Sequence, residues 1–184
     1  MPFIILDRDG VINYDSADYI KSADEWLPIP GSLEAISRLS QNGYRIVIVS
    51  NQSGISRRKF TINELNDIHQ KMIMHLAQYG GSIEAIVFCP HGPRHGCDCR
   101  KPKPGMLFDI ANRLRISLKE IYFVGDSQRD LDAAQAAGAK PVLVRTGNGA
   151  LLDDSGTVPV DVPVYTDLAE FVDKLLCAPL STHG

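Results

Sequence analysis

Two aspartates separated by one residue, in Asp7-Arg8-Asp9-Gly10, follow directly on the apolar run Phe3-Ile4-Ile5-Leu6. The β-branched Ile4 and Ile5 favour a buried strand, and Gly10 permits a sharp turn out of it. The two acids therefore fall at the carboxyl end of an N-terminal strand, where open α/β sheets bind their ligands. Strand alternation predicts that both side chains share one face. Two carboxylates held so close repel, and one tends to keep a proton. A divalent cation removes that conflict, and magnesium favours a few carboxylates supplemented by phosphate and water oxygens. The pair thus points to metal-assisted phosphoryl chemistry.

Three further segments have companion chemistry. Gly125-Asp126-Ser127-Gln128-Arg129-Asp130 follows the apolar run 121–124, so Asp126 occupies the same kind of strand end. Val47-Ile48-Val49 leads into Ser50-Asn51-Gln52-Ser53-Gly54, a turn whose hydroxyls, amides and backbone N–H groups can hold phosphoryl oxygens. In Arg100-Lys101-Pro102-Lys103-Pro104-Gly105, Lys101 can supply fixed positive charge, and the prolines restrict the backbone beside it. A lone strand-end aspartate is more often a helix cap or a solvated turn, and a lone lysine an ordinary surface residue. The bland reading weakens when acids end two strands of one sheet.

Cys89-x-His91 and Cys97-x-Cys99 lie on one short loop. Three thiolates and an imidazole match a closed tetrahedral zinc site, and four protein ligands make it structural rather than catalytic. The spacing C-x-H-x₅-C-x-C differs from the commoner C-x₂-C knuckle, and His95 is an alternative fourth ligand. Gly92, Pro93 and Gly96 let the loop fold around an ion. Because the cluster ends just before Arg100 and Lys101, zinc is expected to pin the loop and aim those side chains.

The elements that must position these groups alternate between strands and helices. Strand-like runs recur at 3–6, 45–49, 83–88, 121–124 and 141–144. Between them, Leu33, Ile36 and Leu39 share one helical face. Thr61 and Glu64 form a capping box ahead of Leu65, Ile68, Met72 and Leu76. Leu107, Ile110, Ala111 and Leu114 mark a third helix, the alanine-rich 131–137 closed by Gly138 a fourth, and Asp167 with Glu170 caps a last one. This order predicts a Rossmann-like three-layer α/β sandwich around a parallel sheet. Residues 147–163 read as a mobile loop. At 184 residues the chain fits one domain, 1–184, and neither 10–44 nor 88–105 has room for a separate cap domain.

Composition limits the partners. A net charge of −3 argues against nucleic acid and membrane surfaces, and no apolar run approaches the ~20 residues that span a bilayer. The acid pair begins at Asp7, which leaves no space for a cleavable leader. A cytoplasmic monomer is the expectation, and in a reducing cytosol clustered cysteines read as metal ligands rather than disulfides.

In order along the chain, Asp7-x-Asp9-Gly10, Ser50, Lys101 and Gly125-Asp126-x-x-x-Asp130 resemble the four signature motifs of the haloacid dehalogenase superfamily. The resemblance spans residues 3 to about 145. It implies a magnesium-dependent phosphatase with Asp7 as nucleophile and Asp9 as acid and then base. Magnesium would be bound by Asp7, the main-chain carbonyl of Asp9, and Asp126. Ser50 and Lys101 would hold the phosphoryl group, and Asp130 would support Lys101 rather than touch metal. The C-x-H…C-x-C insert followed by Arg100-Lys101-Pro102 is similar to a capless, zinc-loop branch. That branch contains D-glycero-D-manno-heptose 1,7-bisphosphate 7-phosphatases and histidinol-phosphate phosphatases. It implies that Asp15, Asp18, Tyr19, Ser50, Asn51, Gln52, Ser53, Arg100 and Lys101 meet a phosphorylated sugar, with Arg57, Arg58 and Lys59 the nearest basic run for a second phosphate. Val11 and Asp18 depart from that branch's usual residues. The expected reaction removes the C7 phosphate of a heptose bisphosphate to give heptose 1-phosphate, for ADP- or GDP-heptose and lipopolysaccharide core precursors. Two alternatives stand beside it: a histidinol-phosphate phosphatase, and a non-enzymatic receiver-like or metal-binding regulatory domain.

Overall fold

The structure is a computed structural model that describes residues 2–177. Its strands are β1 (Phe3–Leu6), β2 (Arg45–Asn51), β3 (Ala85–Cys89), β4 (Tyr122–Gly125), β5 (Lys140–Val144) and β6 (Val164–Tyr165). The α-helices are α1 (Ser32–Gln41), α2 (Ile62–Gln78), α3 (Gly105–Leu114), α4 (Gln128–Ala137), α5 (Gly149–Asp154) and α6 (Leu168–Cys177). The six strands form one sheet in the order β3-β2-β1-β4-β5-β6, with every pairing parallel.

Strand alternation divides the core between the two faces. Ile4, Leu6, Ile46 and Ile48 pack with Leu33, Ile36 and Leu39 of α1, Ile68 and Met72 of α2, and Phe171 and Val172 of α6. Phe3, Ile5, Val47, Val49 and Phe123 pack with Met106, Leu107 and Ile110 of α3 and Ala133 and Ala134 of α4. The result is the expected three-layer sandwich. β1 lies between two neighbours and under helices on both faces, so all of its residues are buried. Truncating Ile5, which has no exposed surface, to alanine should cost about 2–5 kcal/mol.

The strand order places the site. The chain adds β2 and β3 on one side of β1 and then crosses to add β4 on the other. Ligands bind at such a reversal, beyond the carboxyl ends of the strands. Leu6 is in register with Val124, and Asp7 N donates to Val124 O at 2.9 Å, so Asp7 and Asp126 emerge side by side. Residues 7–31, between β1 and α1, contain only isolated bridges, Asp9 with Asn13 and Asn13 with Pro28, and no inserted cap.

The expected capping box closes α2: Thr61 Oγ1 accepts from Glu64 N at 3.2 Å, and Thr61 N donates to Glu64 Oε2 at 2.6 Å. Asp167 Oδ1 accepts from Glu170 N at 2.8 Å at the start of α6. The stretch 147–163, read from sequence as a loop, instead contains α5 and leads directly into β6. α5 has six residues and β6 two, too few for either periodicity to register. They are held by a small apolar cluster in which Leu152 and Val164 pack against Leu131, Leu143 and Val162. Among the described residues no helix is long and apolar enough to cross a membrane.

Candidate active site

Loops at the carboxyl edge of the sheet enclose a cavity of about 310 Å³, lined by Asp7, Asp9, Ser50, Lys101, Asp126 and Asp130 among others. Lys101 is its electrostatic centre. The side chain is 2% exposed, and its ammonium lies 2.8 Å from Asp7 Oδ2 and 2.6 Å from Asp130 Oδ1 while donating to Val49 O at 3.0 Å. Asn51 fixes the lysine's backbone from both sides, accepting from Lys101 N and donating to Lys101 O, each at 3.1 Å. Asn51, a candidate substrate contact, also lines the cavity.

Asp7, Asp126 and Asp130 each present a carboxylate oxygen within 4.8 Å of the others, all buried. Burial raises Asp7 well above the usual carboxylate range although Lys101 opposes it. Burial, followed by the charge of Asp130, pushes Asp126 up to about 6. A single lysine thus faces three carboxylates, an excess of negative charge that suits a hard divalent cation. Asp130 is otherwise engaged, since its Oδ2 accepts from Ser127 N at 3.1 Å and Ser127 Oγ at 2.5 Å at the start of α4. Asp126 Oδ2 accepts from Asn148 N at 2.8 Å and Asn148 Nδ2 at 3.2 Å. Behind that carboxylate stand Gly10 and Gly147, both at positive φ, where an added Cβ would come within 2.2 and 2.1 Å of Asp126 Oδ2.

Asp9 is arranged differently. The chain leaves β geometry after Leu6, so alternation does not extend to Asp9. Its carboxylate stands apart from the buried acid cluster while lining the same cavity. Asn13 Nδ2 donates to Oδ1 at 2.9 Å, Gln52 Nε2 donates to Oδ2 at 2.9 Å, and Arg8 bonds to both oxygens. Burial pushes this carboxyl up, but the Arg8 guanidinium and these hydrogen bonds outweigh it and hold it below the usual range. Gln52 Nε2 also donates to the buried Ser50 Oγ at 2.7 Å, tying the ends of β1 and β2 together.

The remaining expected contacts divide. Asp15, Tyr19, Ser53 and Arg100 line the cavity. Tyr19 adopts φ 66 and its ring meets Phe60 edge-on at 6.3 Å. Asp18 does not belong to this wall: its side chain is 73% exposed and pairs with Lys21 at 3.1 Å. Of the basic run, Arg57 lines the cavity, whereas Lys59 turns toward Asp18 at 3.8 Å. Sequence reasoning passed over Asn13, Arg129 and Asn148, as well as the part played by Arg8. The placing of Arg8 between two acids, directly after an apolar strand, is the one available signal.

The second cluster lies on the loop after β3. Cys89 Sγ is 3.6 Å from His91 Nδ1, 3.7 Å from Cys97 Sγ and 3.2 Å from Cys99 Sγ, and His91 Nδ1 is 3.3 Å from Cys99 Sγ. Zn–S bonds of ~2.3 Å and Zn–N bonds of ~2.0 Å give a tetrahedron with edges of about 3.5–3.8 Å, close to this spacing. Burial and a hydrogen bond with Cys99 push the Cys89 thiol up to about 12, whereas Cys97, which burial would also raise, is lowered by its hydrogen bonds with Cys99 and Cys89. His95 is outside the set, its Nδ1 accepting from Gly92 N at 3.0 Å. Arg100 NH1 donates to His91 O at 3.0 Å, a direct tie between the cluster and the cavity wall.

Residues 4–138 match the haloacid dehalogenase-like hydrolase family. The chain is 50% identical over 96% of its length to the whole of a D-glycero-beta-D-manno-heptose-1,7-bisphosphate 7-phosphatase of Pseudomonas putida. It is 52% identical, over 96% of this chain and 98% of the relative, to an enzyme of the same name from Bordetella bronchiseptica. Among solved structures, the D,D-heptose 1,7-bisphosphate phosphatase of B. bronchiseptica complexed with magnesium and phosphate superposes with a TM-score of 0.93 at 52% identity, covering 96% of this chain and 98% of that one. The corresponding Burkholderia thailandensis phosphatase gives a TM-score of 0.77 at 41% identity, covering 96% and 99%.

Proposed function

The chain belongs to the haloacid dehalogenase-like hydrolase family, and from that premise we propose that it removes the C7 phosphate of D-glycero-β-D-manno-heptose 1,7-bisphosphate. Heptose 1-phosphate and inorganic phosphate are the products, and supply of activated heptose for lipopolysaccharide is the cytoplasmic role. One observation carries the chemistry: Lys101 Nζ, 2.8 Å from Asp7 Oδ2, sits in a buried cluster of carboxylates at the sheet's reversal point. The substrate rests on relatives about half identical over nearly their whole length. They favour this reading over a histidinol-phosphate phosphatase or a regulatory domain.

The carboxylate excess fits magnesium, with Asp7, the main-chain carbonyl of Asp9, and Asp126 as its ligands. When bound, the ion neutralises phosphoryl oxygens as charge shifts onto them. Asp7 attacks phosphorus, and the P–O bond to C7 breaks as Asp9 gives its proton to the leaving oxygen. The resulting aspartyl-phosphate splits the reaction into two easier steps. Water then attacks phosphorus, its proton passes to Asp9, and Asp7 is released with inorganic phosphate. Asp9 must be protonated for the first step although Arg8 holds it ionised in the free protein. The dianionic phosphoryl group arriving beside it supplies the upward shift. Lys101 and Ser50 hold the phosphoryl oxygens, and Asp130 keeps Lys101 in place.

The thiol and imidazole set of Cys89, His91, Cys97 and Cys99 fits zinc in a closed, structural site. Its task is to fix the loop from which Arg100 and Lys101 enter the cavity.

Phosphate release from the β- and α-heptose bisphosphates and from histidinol phosphate, assayed side by side with magnesium, tests the reading. The β-heptose bisphosphate should turn over fastest, and Asp7→Asn should abolish release. Faster turnover of histidinol phosphate, or full activity of Asp7→Asn, overturns it.

A further inference from the structure

One side-chain amide at the rim of the cavity serves two walls at once. Asn148 immediately precedes α5, a position where asparagine ordinarily caps the helix, yet its side chain makes no capping bond there. Its Nδ2 lies 3.2 Å from Asp126 Oδ2 and 3.3 Å from Asp15 Oδ2 instead. That nitrogen has two protons, one for each carboxylate. Asn148 N adds a second bond to Asp126 Oδ2 at 2.8 Å, and among the described residues Asp126 Oδ1 accepts no hydrogen bond. Asn148 therefore fixes one oxygen of Asp126 and leaves the other open to a cation.

Asp15 has need of such a tie. It lines the cavity from the segment 7–31, which contains no helix or strand. Its Oδ1 accepts from Ser16 N at 2.8 Å, a bond inside the same turn that cannot hold the turn to the sheet. Asn148 reaches it from 133 positions away along the chain. Thr146 Oγ1, two residues earlier, donates to Gly10 O at 2.6 Å. The loop after β5 thus grips the loop after β1 at two points.

Resting on the heptose-bisphosphate reading, we propose that Asn148 is a positioning residue that couples the magnesium ligand Asp126 to Asp15, the acid facing the sugar. Outer partners set the orientation of a carboxylate that ligates metal. Because one amide restrains both acids, Asp126 held for the ion also holds Asp15 for the sugar, and such coupling acts equally in both directions.

Asn148→Ala tests this. It keeps the main-chain bond to Asp126, and the residue is exposed, so the variant should fold. Calorimetric titration of magnesium into the free protein should give a dissociation constant raised about 10-fold, the low end for loss of a metal ligand's outer partner. At saturating magnesium, kcat/KM on heptose bisphosphate should fall about 3-fold further than on an aryl phosphate, which has no sugar to reach Asp15; a neutral hydrogen bond is worth roughly 2- to 10-fold. The extra loss should lie in KM. In an Asp15→Ala background, Asn148→Ala should still weaken magnesium but take nothing more from the sugar. An unchanged magnesium dissociation constant, equal losses on the two substrates, or the same extra loss on the sugar without Asp15 overturns the coupling. A wild type that hydrolyses the aryl phosphate and not heptose bisphosphate overturns the substrate reading and the Asp15 arm with it, while the magnesium titration still decides the Asp126 arm.

Discussion

Arg8 forks onto its own neighbour Asp9, Nε to Oδ1 and NH2 to Oδ2, both at 3.0 Å. Arg8 has no exposed surface, and on its far side NH1 lies 3.4 Å from His69 Nε2 of α2. A residue between two aspartates thus works as the support that orients the second of them. Removing one partner of a buried ion pair costs about 3–5 kcal/mol, so Arg8→Met should be destabilised by that order in urea denaturation. Arg8→Lys keeps the charge and loses the fork. It should recover much of the stability yet show kcat on the sugar phosphate reduced about 10-fold or more, because Asp9 is no longer held for proton transfer. Wild-type kcat in Arg8→Lys would remove the orienting role.

His69 makes stability depend on pH. Burial, then the charge of Arg8, lowers its pKa from the ordinary 6.5 to about 4. Between those values the unfolded chain binds a proton that the folded chain refuses, so stability rises with pH across this window. Acidification from about 6.5 to 4 should therefore remove up to about 3 kcal/mol through this group, at ~1.4 kcal/mol per pH unit. His69→Gln cannot titrate and should flatten this part of the profile of denaturation midpoint against pH. The same slope in both proteins would assign the acid sensitivity elsewhere.

What could be found in the sequence follows from how the information is stored. Asp7, Ser50 and Asp126 each end an apolar run, and parallel strands deliver their carboxyl ends to one edge. Cys89, His91, Cys97 and Cys99 are legible because coordination chemistry demands those types close together. The support of Asp9 is only partly legible: Arg8 and Asn13 are close to it in sequence, but Gln52 and His69 come from the end of β2 and from α2, and only packing against β1 brings them there. Asp18 and Tyr19 are adjacent in sequence, yet the turn sends one toward Lys21 and the other into the cavity. α5 and β6 escaped notice because they are short, although Asn148, just before α5, supplies two of the bonds to Asp126.

Gly147 is a sharper probe of the Asp126 position than substitution of the aspartate itself. It has φ +58, which disfavours any Cβ, and that Cβ would fall 2.1 Å from Asp126 Oδ2 and 2.7 Å from Gly10 Cα. Gly147→Ala must displace the carboxylate or the turn, at a conformational cost of about 1–2 kcal/mol from the left-handed backbone alone. If Asp126 holds magnesium, the concentration of magnesium giving half-maximal activity should rise about 10-fold or more. Gly156, at φ +70 with nothing within 4 Å of an added Cβ, is the control: Gly156→Ala carries the backbone cost without touching the site, so it should lose stability while its magnesium requirement stays put. Equal magnesium requirements in the two variants would separate Asp126 from the metal.

Cys97→Ser separates the proposed zinc from the catalytic centre. Cys97 supplies one of the four converging ligand atoms, and serine replaces the sulfur with a far weaker zinc donor. Metal analysis of protein purified without chelator should give about one zinc per chain for the wild type and well below one for Cys97→Ser. Zinc supplies ~10–16 kcal/mol to small peptides that have no other core. Here the two faces of the sheet carry core clusters of their own, so the variant should fold with a lowered melting temperature. Its kcat/KM should fall all the same, because Arg100 is tied to His91 O and Lys101 follows two residues after Cys99. Adding zinc back to chelator-treated wild type should restore activity, and adding it to the variant should not. Zinc-free wild type with full activity would leave the loop held by its hydrogen bonds alone and remove the ion from the account of how Lys101 reaches Asp7.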